Sequence, residues 1–277
     1  MRHRPVGFIP AAQRPGTFSI AWRTFRSVGA LMLREMTTTY GRSVGGYLWA
    51  LLEPIGSVLL LTVVISAGLK LKQPSLGISF AMFYATGVLV FTLYVRLQQK
   101  ISQAIVYSRA LLRYPAVKFF DAIVARFALN VITQTSVMFI VFVGIMVLYD
   151  TRTIIDLRWI LLSISMASAL AMGMGLLNAY LLPAFPIYAS IFSIAATPLF
   201  FISGVLYVYE ELPVFAQDII WYNPLVHVTA MMRKGFYGQY DAAFVSPSYV
   251  FSVSLILGVL GFVLVSRYFR QIVDRSY

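Results

Sequence analysis

The 277-residue chain contains no cysteine, only two histidines and few charged residues. The lack of cysteine excludes disulfides and thiolate metal sites. Charged residues make up 12% of the chain and hydrophobic residues 60%, which leaves too little polar surface to cover a soluble protein of this length. The two histidines, His3 and His227, lie far apart, and without an H-E-x-x-H pattern we expect no metal site. This composition favours a membrane protein.

Motifs for independent chemistry are also missing. No G-x-x-x-x-G-K-S/T loop is present, so we do not expect this chain to cradle ATP. The net charge of +12 is spread between apolar runs, which argues against nucleic-acid binding. His227 has Asp218 and serines in its neighbourhood, but without a nucleophile elbow we interpret it as a hydrogen-bonded structural histidine. The chain is therefore expected to be no enzyme by itself and to be driven by another subunit.

Six apolar runs are each long enough to cross the membrane as a helix of about 20 residues. They are predicted at residues 47–69, 78–95, 127–148, 159–182, 187–208 and 249–266. Sixteen Lys and Arg residues lie in the segments on the side of the two termini, and six lie on the opposite side. Because positive residues in short loops favour the cytoplasm, both termini are predicted to be cytoplasmic. The predicted fold class is an all-α integral membrane protein.

Three segments outside these spans carry structural signals. Residues 18–46, after a flexible tail at 1–17, have the spacing of an amphipathic interfacial helix, with a plain membrane anchor as the alternative. Residues 97–118 predict a basic cytoplasmic helix that is either solvated or docked to a partner. Residues 212–232 are broken at Asn223-Pro224 and predict a re-entrant or interfacial hairpin of two short helices on the periplasmic side.

Two features inside the spans have two interpretations each. Small residues recur every four positions in the fourth span, which favours tight helix packing within one subunit over a conduit lining or a dimer seam. They are Ser163, Ala167, Ala171, Gly175 and Ala179. Glu53 is the one acid in the spans, and an unpaired carboxylate at that depth is costly. It is either a partner for Arg42 or another basic group near the inner surface, or a polar element at the entrance of a translocation path.

The beginning of the first span and the residues before it resemble a known family. The segments are Leu33-Arg-Glu-Met36, Tyr40-Gly-Arg-Ser43 and Gly45-Gly-Tyr-Leu-Trp-Ala-Leu-Leu-Glu-Pro54. They resemble the opening of the ABC-2 type permeases of bacterial capsular polysaccharide exporters. The resemblance includes Trp221-Tyr-Asn-Pro-Leu225 and extends over nearly the whole chain, which is then a single transmembrane domain of residues 1–277.

The resemblance implies partners and a substrate. It implies a homodimer with two copies of a separate ATPase subunit, which binds ATP and Mg, while this chain needs no cofactor. It also implies a periplasmic co-polymerase, an outer-membrane export channel and a Gram-negative inner membrane. The substrate would be a lipid-linked capsular polysaccharide moved from the cytoplasm to the periplasm. An O-antigen or teichoic acid exporter, an ion-coupled secondary transporter and a membrane-embedded transferase are the alternatives.

The resemblance also suggests roles for individual residues. The coupling contacts to the ATPase would be Arg109, Leu111, Leu112, Arg113, Tyr114 and Pro115. Aromatic faces accept sugar C–H surfaces by stacking, and the candidates for the translocation path are Tyr47, Trp49, Glu53, Phe200, Phe201, Tyr207, Trp221 and Tyr222. Each of these aromatic residues could instead face lipid. Asn223 and Pro224 would form a gating hairpin, and Arg233 and Lys234 would attract an acidic polymer at the exit or mark the outer interface.

Overall fold

A computed structural model describes residues 26–36, 46–68, 73–109 and 119–275, and these ranges contain helices and turns without a strand. We number the helices in chain order, beginning with α1 at residues 26–36. The others are α2 (Gly46–Gly68), α3 (Phe80–Ser102), α4 (Ala104–Tyr107), α5 (Phe119–Leu148), α6 (Leu157–Ala184), α7 (Pro186–Ile202), α8 (Val214–Ile220), α9 (Pro224–Phe236) and α10 (Pro247–Arg275). A 3₁₀ turn at Tyr209–Glu211 precedes α8.

Five of these helices are long and apolar enough to cross a membrane. The candidate segments are Leu48–Ser66, Phe80–Ser102, Phe119–Leu148, Leu157–Ala184 and Pro247–Ile272. The fifth predicted span, at 187–208, corresponds to α7, which is apolar but has only 17 residues. At 1.5 Å per residue it is about 25 Å long, shorter than the hydrocarbon core of about 30 Å.

The span predicted at 187–208 ends early because the chain turns after Ile202. Gly204 adopts a positive φ of 70°, a backbone conformation that glycine tolerates and most other residues avoid. The side-chain amide of Asn223 donates to the carbonyl of Ile202 at 3.0 Å, which satisfies the helix end. Residues 203–208 are apolar but not helical, so hydropathy alone placed them in the span.

Helix α3 lies at the centre of the fold. Most of its residues are buried, and it packs against α2, α5, α6 and α9. Its N-cap is Ser79, whose hydroxyl accepts from the N–H of Met82 at 3.4 Å. The helix continues seven residues past the predicted apolar run at 78–95, because Arg96, Gln99 and Lys100 end the run without breaking the helix. By contrast, α2 and α7 bury few or no residues against the rest of the chain.

Helices α6 and α10 approach each other closely at glycines. A Cβ atom on Gly173 would lie 2.4 Å from the carbonyl oxygen of Ser254, and one on Gly261 would lie 2.4 Å from the backbone nitrogen of Leu177. The small residues predicted to pack along α6 are all buried, and Gly175 meets Ile101 of α3. These contacts support tight packing within one subunit, the favoured interpretation of that pattern.

The hairpin before the last long helix consists of α8 and α9, which meet at Asn223-Pro224 where the sequence predicts a break. Asn223 is the N-cap of α9, and its side-chain oxygen accepts from the N–H of Leu225 at 3.0 Å. Pro224 occupies the first turn of α9, where a missing N–H costs little. The hairpin therefore carries its own start signal and is held to the end of α7 through Asn223.

Candidate functional site

An open groove of about 670 Å³ lies between α2, α3 and α7. A second open cavity, of about 600 Å³, lies between α5, α6 and α10. The groove is lined by one face of α2, by one face of α3, which runs antiparallel to α2, and by one aromatic ring of α7. The lining residues are Glu53, Ser57, Leu60, Leu61, Val88, Phe91, Thr92, Val95, Arg96, Gln99, Lys100 and Phe200.

An ion pair joins α2 to α3 at the basic end of this groove. Arg96 Nη2 lies 2.6 Å from Glu53 Oε2, and the side chains are 20% and 54% exposed. The partner that the sequence predicted for Glu53 near the inner surface is thus Arg96, while Arg42 lies outside the described residues. The carboxylate is more than half exposed at the opening of the groove, so the packed core does not enclose the pair. Glu53 therefore has a local partner and also lines the groove.

The groove is polar at one end and apolar along the rest of its length. Arg96, Gln99 and Lys100 lie on the last turns of α3, whereas Val88 and Phe91 lie about one to three turns earlier. From Val88 to Lys100 the groove follows α3 for about 18 Å at 1.5 Å per residue. Phe91 meets Phe200 of α7 edge to face, with ring centroids 5.3 Å apart. Such a groove can hold a molecule with a charged head and an apolar body.

The structure brings only two of the predicted path residues together in this groove, Glu53 and Phe200. Trp49 is 68% exposed on α2, and Phe201 is 53% exposed on α7, so both face away from the subunit core. Tyr47 belongs to α2, but its side chain lies outside the described residues. The remaining three, Tyr207, Trp221 and Tyr222, lie in or beside the α8–α9 hairpin rather than in the groove.

Trp221 fixes the hairpin to the beginning of α10. Its indole N–H donates to the carbonyl of Phe244 at 3.3 Å, and its ring lies 5.0 Å from the ring of Tyr249. The Tyr249 hydroxyl donates to the carbonyl of Tyr222 at 2.8 Å, while the Tyr222 side chain is 69% exposed. Tyr222 therefore presents its ring to the surroundings, whereas Trp221 is half-buried.

His227 is buried in the same cluster with both ring nitrogens occupied. Nδ1 accepts from the N–H of Ser246 at 3.2 Å, so Nε2 carries the proton and donates to the carbonyl of Trp221 at 2.8 Å. Burial lowers the pKa of His227 below its ordinary value, and the hydrogen bond to Trp221 opposes this effect. The geometry agrees with the predicted structural role.

The structure corrects the prediction that Arg233 faces an acidic polymer at the exit. Its side chain is only 2% exposed, and the guanidinium donates to the carbonyls of Val205, at 2.9 Å, and Tyr207. It also lies 4.2 Å from the ring centroid of Phe83. Burial lowers the pKa of Arg233 to about 10, so the guanidinium remains charged at neutral pH. Arg233 therefore ties the turn after α7 to α9.

Lys234 is closer to the predicted outer position but already has partners. Its ammonium lies 3.2 Å from Asp241 Oδ1 and 4.7 Å from the ring centroid of Trp159. Its side chain is 24% exposed, whereas that of Asp241 is 88% exposed. This arrangement is typical of a cation at an aromatic membrane boundary.

Residues of four helices meet at a junction that sequence reasoning missed. Arg126 of α5 donates through Nε to Glu35 of α1 at 2.8 Å, and both side chains are at most 7% exposed. Arg126 also donates to the carbonyl of Lys100 at 3.0 Å and lies 4.0 Å from the ring centroid of Tyr107. We call this set the α1–α5 junction. An arginine near an apolar run requires a partner, so the sequence could have indicated that Arg126 is paired.

The predicted coupling contacts follow α4 in the sequence, and one of the six, Arg109, is among the described residues. Arg109 lies half-buried at the helical end of residues 104–109. The other predicted contacts, Leu111, Leu112, Arg113, Tyr114 and Pro115, lie outside the described residues, as do the predicted tail at 1–17 and residues 18–25 and 37–45 of the predicted interfacial helix.

A body of apolar helices, five of them long enough to cross a membrane, is typical of an integral membrane protein. The profile of the ABC-2 type transporter family matches residues 26–237, and the chain belongs to this family. This match contains α1, the groove, the α1–α5 junction and the whole α8–α9 hairpin.

Curated relatives cover most of the chain. It is 28% identical over 238 residues to the polysialic acid transport protein KpsM of Escherichia coli, which covers 86% of this chain and 92% of the relative. It is 25% identical over 247 residues to the capsule polysaccharide export inner-membrane protein CtrC of Neisseria meningitidis and 27% identical over 250 residues to BexB of Haemophilus influenzae, with 89% and 92% covered in each case. The chain is a multi-pass protein of the inner membrane.

Proposed function

We propose that the chain is the membrane-spanning permease subunit of an ATP-driven exporter that moves lipid-linked capsular polysaccharide from the cytoplasm to the periplasm. The observation that carries this proposal is the similarity over 86–89% of the chain to proteins named for capsule export or polysialic acid transport. The amphipathic groove between α2, α3 and α7 supports it, because a lipid-linked sugar polymer has an apolar anchor and a polar head.

The proposed topology has six spans with both termini in the cytoplasm. The spans are α2, α3, α5, α6, α7 and α10. One residue, Phe185, joins α6 to α7, which fits a tight turn at the inner face. Arg96 and Lys100 at the end of α3 lie on the same side, as positive residues at an inner face should. The α8–α9 hairpin then re-enters the outer half of the membrane, on the side that α7 is too short to reach.

Two copies of the chain form the proposed conduit. Support comes from α2 and α7, the apolar helices that the rest of the chain covers least. Trp49 and Phe201 are exposed on these two helices. Because helices associate in lipid through close packing, a second copy facing this surface would enclose the groove. Aromatic side chains would then line a path for sugar rings.

The energy for export comes from a separate ATPase subunit, which binds ATP and Mg, with two copies per exporter. The sequence has no phosphate-binding loop of its own, and its family is that of transporter membrane domains. The α1–α5 junction supports a mechanical role for this face, because it links α1, α3, α4 and α5 beside Arg109. ATP-driven closure of the ATPase pair would move this junction and change the separation of the conduit helices.

A periplasmic co-polymerase and an outer-membrane channel complete the proposed export route. Their assignment rests on the family resemblance alone. They would receive the polymer after it passes the α8–α9 hairpin.

Export assays in a deletion strain test the function. We expect loss of the chain to remove polysaccharide from the cell surface and to leave lipid-linked polymer in the cytoplasm. The wild-type chain should restore export with its ATPase partner, but not with a partner whose phosphate-loop lysine is replaced. Export with the inactive ATPase would contradict the proposal and favour ion coupling. Accumulation of O-antigen in place of capsule would reassign the substrate.

A further inference from the structure

We infer that the groove between α2, α3 and α7 binds a phosphate-bearing amphiphile, with Arg96 as the phosphate ligand and Glu53 as a carboxylate that the phosphate displaces. The inference rests on the proposed function, in which this amphiphile is the lipid terminus of the polysaccharide. It adds a substrate-binding site and a mode of selection to that function.

The basic end of the groove suits a phosphate. Arg96 and Lys100 are four residues apart on α3, so their side chains lie on one face of the helix. A guanidinium matches two phosphate oxygens with parallel N–H donors, and a lysine adds a point charge. Lys100 lies in the last turn of α3, and Arg96 lies one turn earlier. Gln99 adds an amide donor beside them.

The rest of the groove suits an apolar chain. Leu60, Leu61, Val88, Phe91 and Phe200 continue from the basic end along the same opening. An isolated anion would need only the basic end, and a neutral lipid would leave Arg96 and Lys100 without a new partner. An amphiphile with a phosphate head uses both halves, and this charge complementarity selects it over the other two.

Glu53 competes with the ligand for Arg96. It pairs with Arg96 at 2.6 Å, and its side chain is 54% exposed at the opening of the groove, so it can leave Arg96 without disrupting core packing. A phosphate offers more oxygens to the arginine than one carboxylate oxygen does and can also contact Lys100. A zwitterionic or neutral lipid offers less in return for breaking the pair. The pair therefore raises selectivity by making weak ligands compete with Glu53.

Binding of dodecyl phosphate to the full-length chain in phosphatidylcholine nanodiscs tests this site by native mass spectrometry. We expect saturable binding to the wild type, about tenfold or more weaker binding to Arg96→Gln, and about tenfold tighter binding to Glu53→Gln. Arg96→Lys should fall between the wild type and Arg96→Gln, because it keeps the charge and loses the paired donors. Glu53→Gln keeps the shape of the side chain, so it tests the site even where Arg96→Gln fails to fold.

A second arginine–carboxylate pair provides the control. Arg158 and Asp156 lie 2.8 Å apart at the beginning of α6, away from the groove. Arg158→Gln and Asp156→Asn should leave dodecyl phosphate binding unchanged. If substitutions in the two ion pairs changed binding equally, binding would depend on general surface charge and not on the groove. Tighter binding only in Glu53→Gln supports the site, whereas unchanged or weaker binding in that variant overturns it.

Competition distinguishes the sources of the ligand chemistry. Neither inorganic phosphate nor dodecyl maltoside should displace dodecyl phosphate at equal concentration. Displacement by inorganic phosphate would make this a simple anion site, and displacement by the maltoside would make it a simple apolar groove, so either result overturns the inference. These measurements need no export. Loss of binding with normal capsule export would reject the site alone, and binding without export would reject the proposed function alone.

Discussion

The α1–α5 junction gives the sharpest prediction. Glu35 and Arg126 are 7% and 3% exposed, and they join residues separated by 91 positions in the sequence. Removing one partner of a buried ion pair costs about 3–5 kcal/mol, because the other charge remains buried. Glu35→Gln keeps the size and one acceptor oxygen, and Arg126 keeps its contacts with Lys100 and Tyr107. We therefore expect a loss of about 2 kcal/mol, near the value of a hydrogen bond to a charged group.

Thermal unfolding of the purified chain, followed by size-exclusion chromatography, measures this loss. A change of about 2 kcal/mol corresponds to a Tm lower by about 4–8 °C in a protein of this size. Asp150→Asn provides the control, because Asp150 and Arg152 form an ion pair at 3.5 Å with both side chains more than 70% exposed. We expect no measurable change in that variant.

A double-mutant cycle completes the test of the junction. Arg126→Met alone should lower the Tm more than Glu35→Gln, because it leaves the carboxylate buried opposite an apolar side chain. The double variant should be less destabilised than the sum of the two single variants by about 1 kcal/mol or more. Additive effects, or a Glu35→Gln variant no less stable than Asp150→Asn, would refute the argument that this pair holds α1 to the helices.

Two further predictions concern packing and pH. A methyl group added at Gly261 would overlap the backbone of Leu177, so Gly261→Ala should lower the free energy of unfolding by about 1–3 kcal/mol. Gly144 has open space around it, so Gly144→Ala should be neutral or slightly stabilising. The same Tm measurement compares the two variants. Burial lowers the pKa of His227, so the unfolded chain binds a proton more readily, and Tm should fall as the pH decreases through about 6.5. His227→Gln should flatten that dependence, and an unchanged pH slope would contradict the assignment.

Hydropathy predicted the helical, multi-pass architecture because bilayer-length apolar runs leave few other folds. It was less informative about helix ends. The apolar runs end at Arg96 and begin after Asp121 and Arg126, but α3 and α5 continue through these residues as helix. At the other extreme, the residues after Ile202 are apolar yet turn sharply at Gly204. Polarity and helicity are different properties, and sequence patterns report the first more directly.

The candidate site was only partly predictable. The sequence indicated that Glu53 needs a basic partner, but choosing Arg96 requires knowing that α2 and α3 run antiparallel with these residues side by side. Arg233 shows the opposite problem, since a basic residue in an outer segment suggests a surface charge. Its guanidinium is instead surrounded by the carbonyls of Val205 and Tyr207, partners that have no side-chain signature in the sequence.

Helix α7 has no fully buried residue, yet both of its ends are fixed. Phe185 connects it directly to α6, and at the other end Asn223 holds the carbonyl of Ile202 while Arg233 holds the turn that follows. Such a helix has little freedom to swing independently. A change in the width of the groove beside it then requires displacement of α6, α7 and the hairpin together as one rigid body relative to α2. The transport cycle therefore moves whole groups of helices relative to one another. A cross-link between α7 and α9, which belong to the same group, should leave that cycle intact.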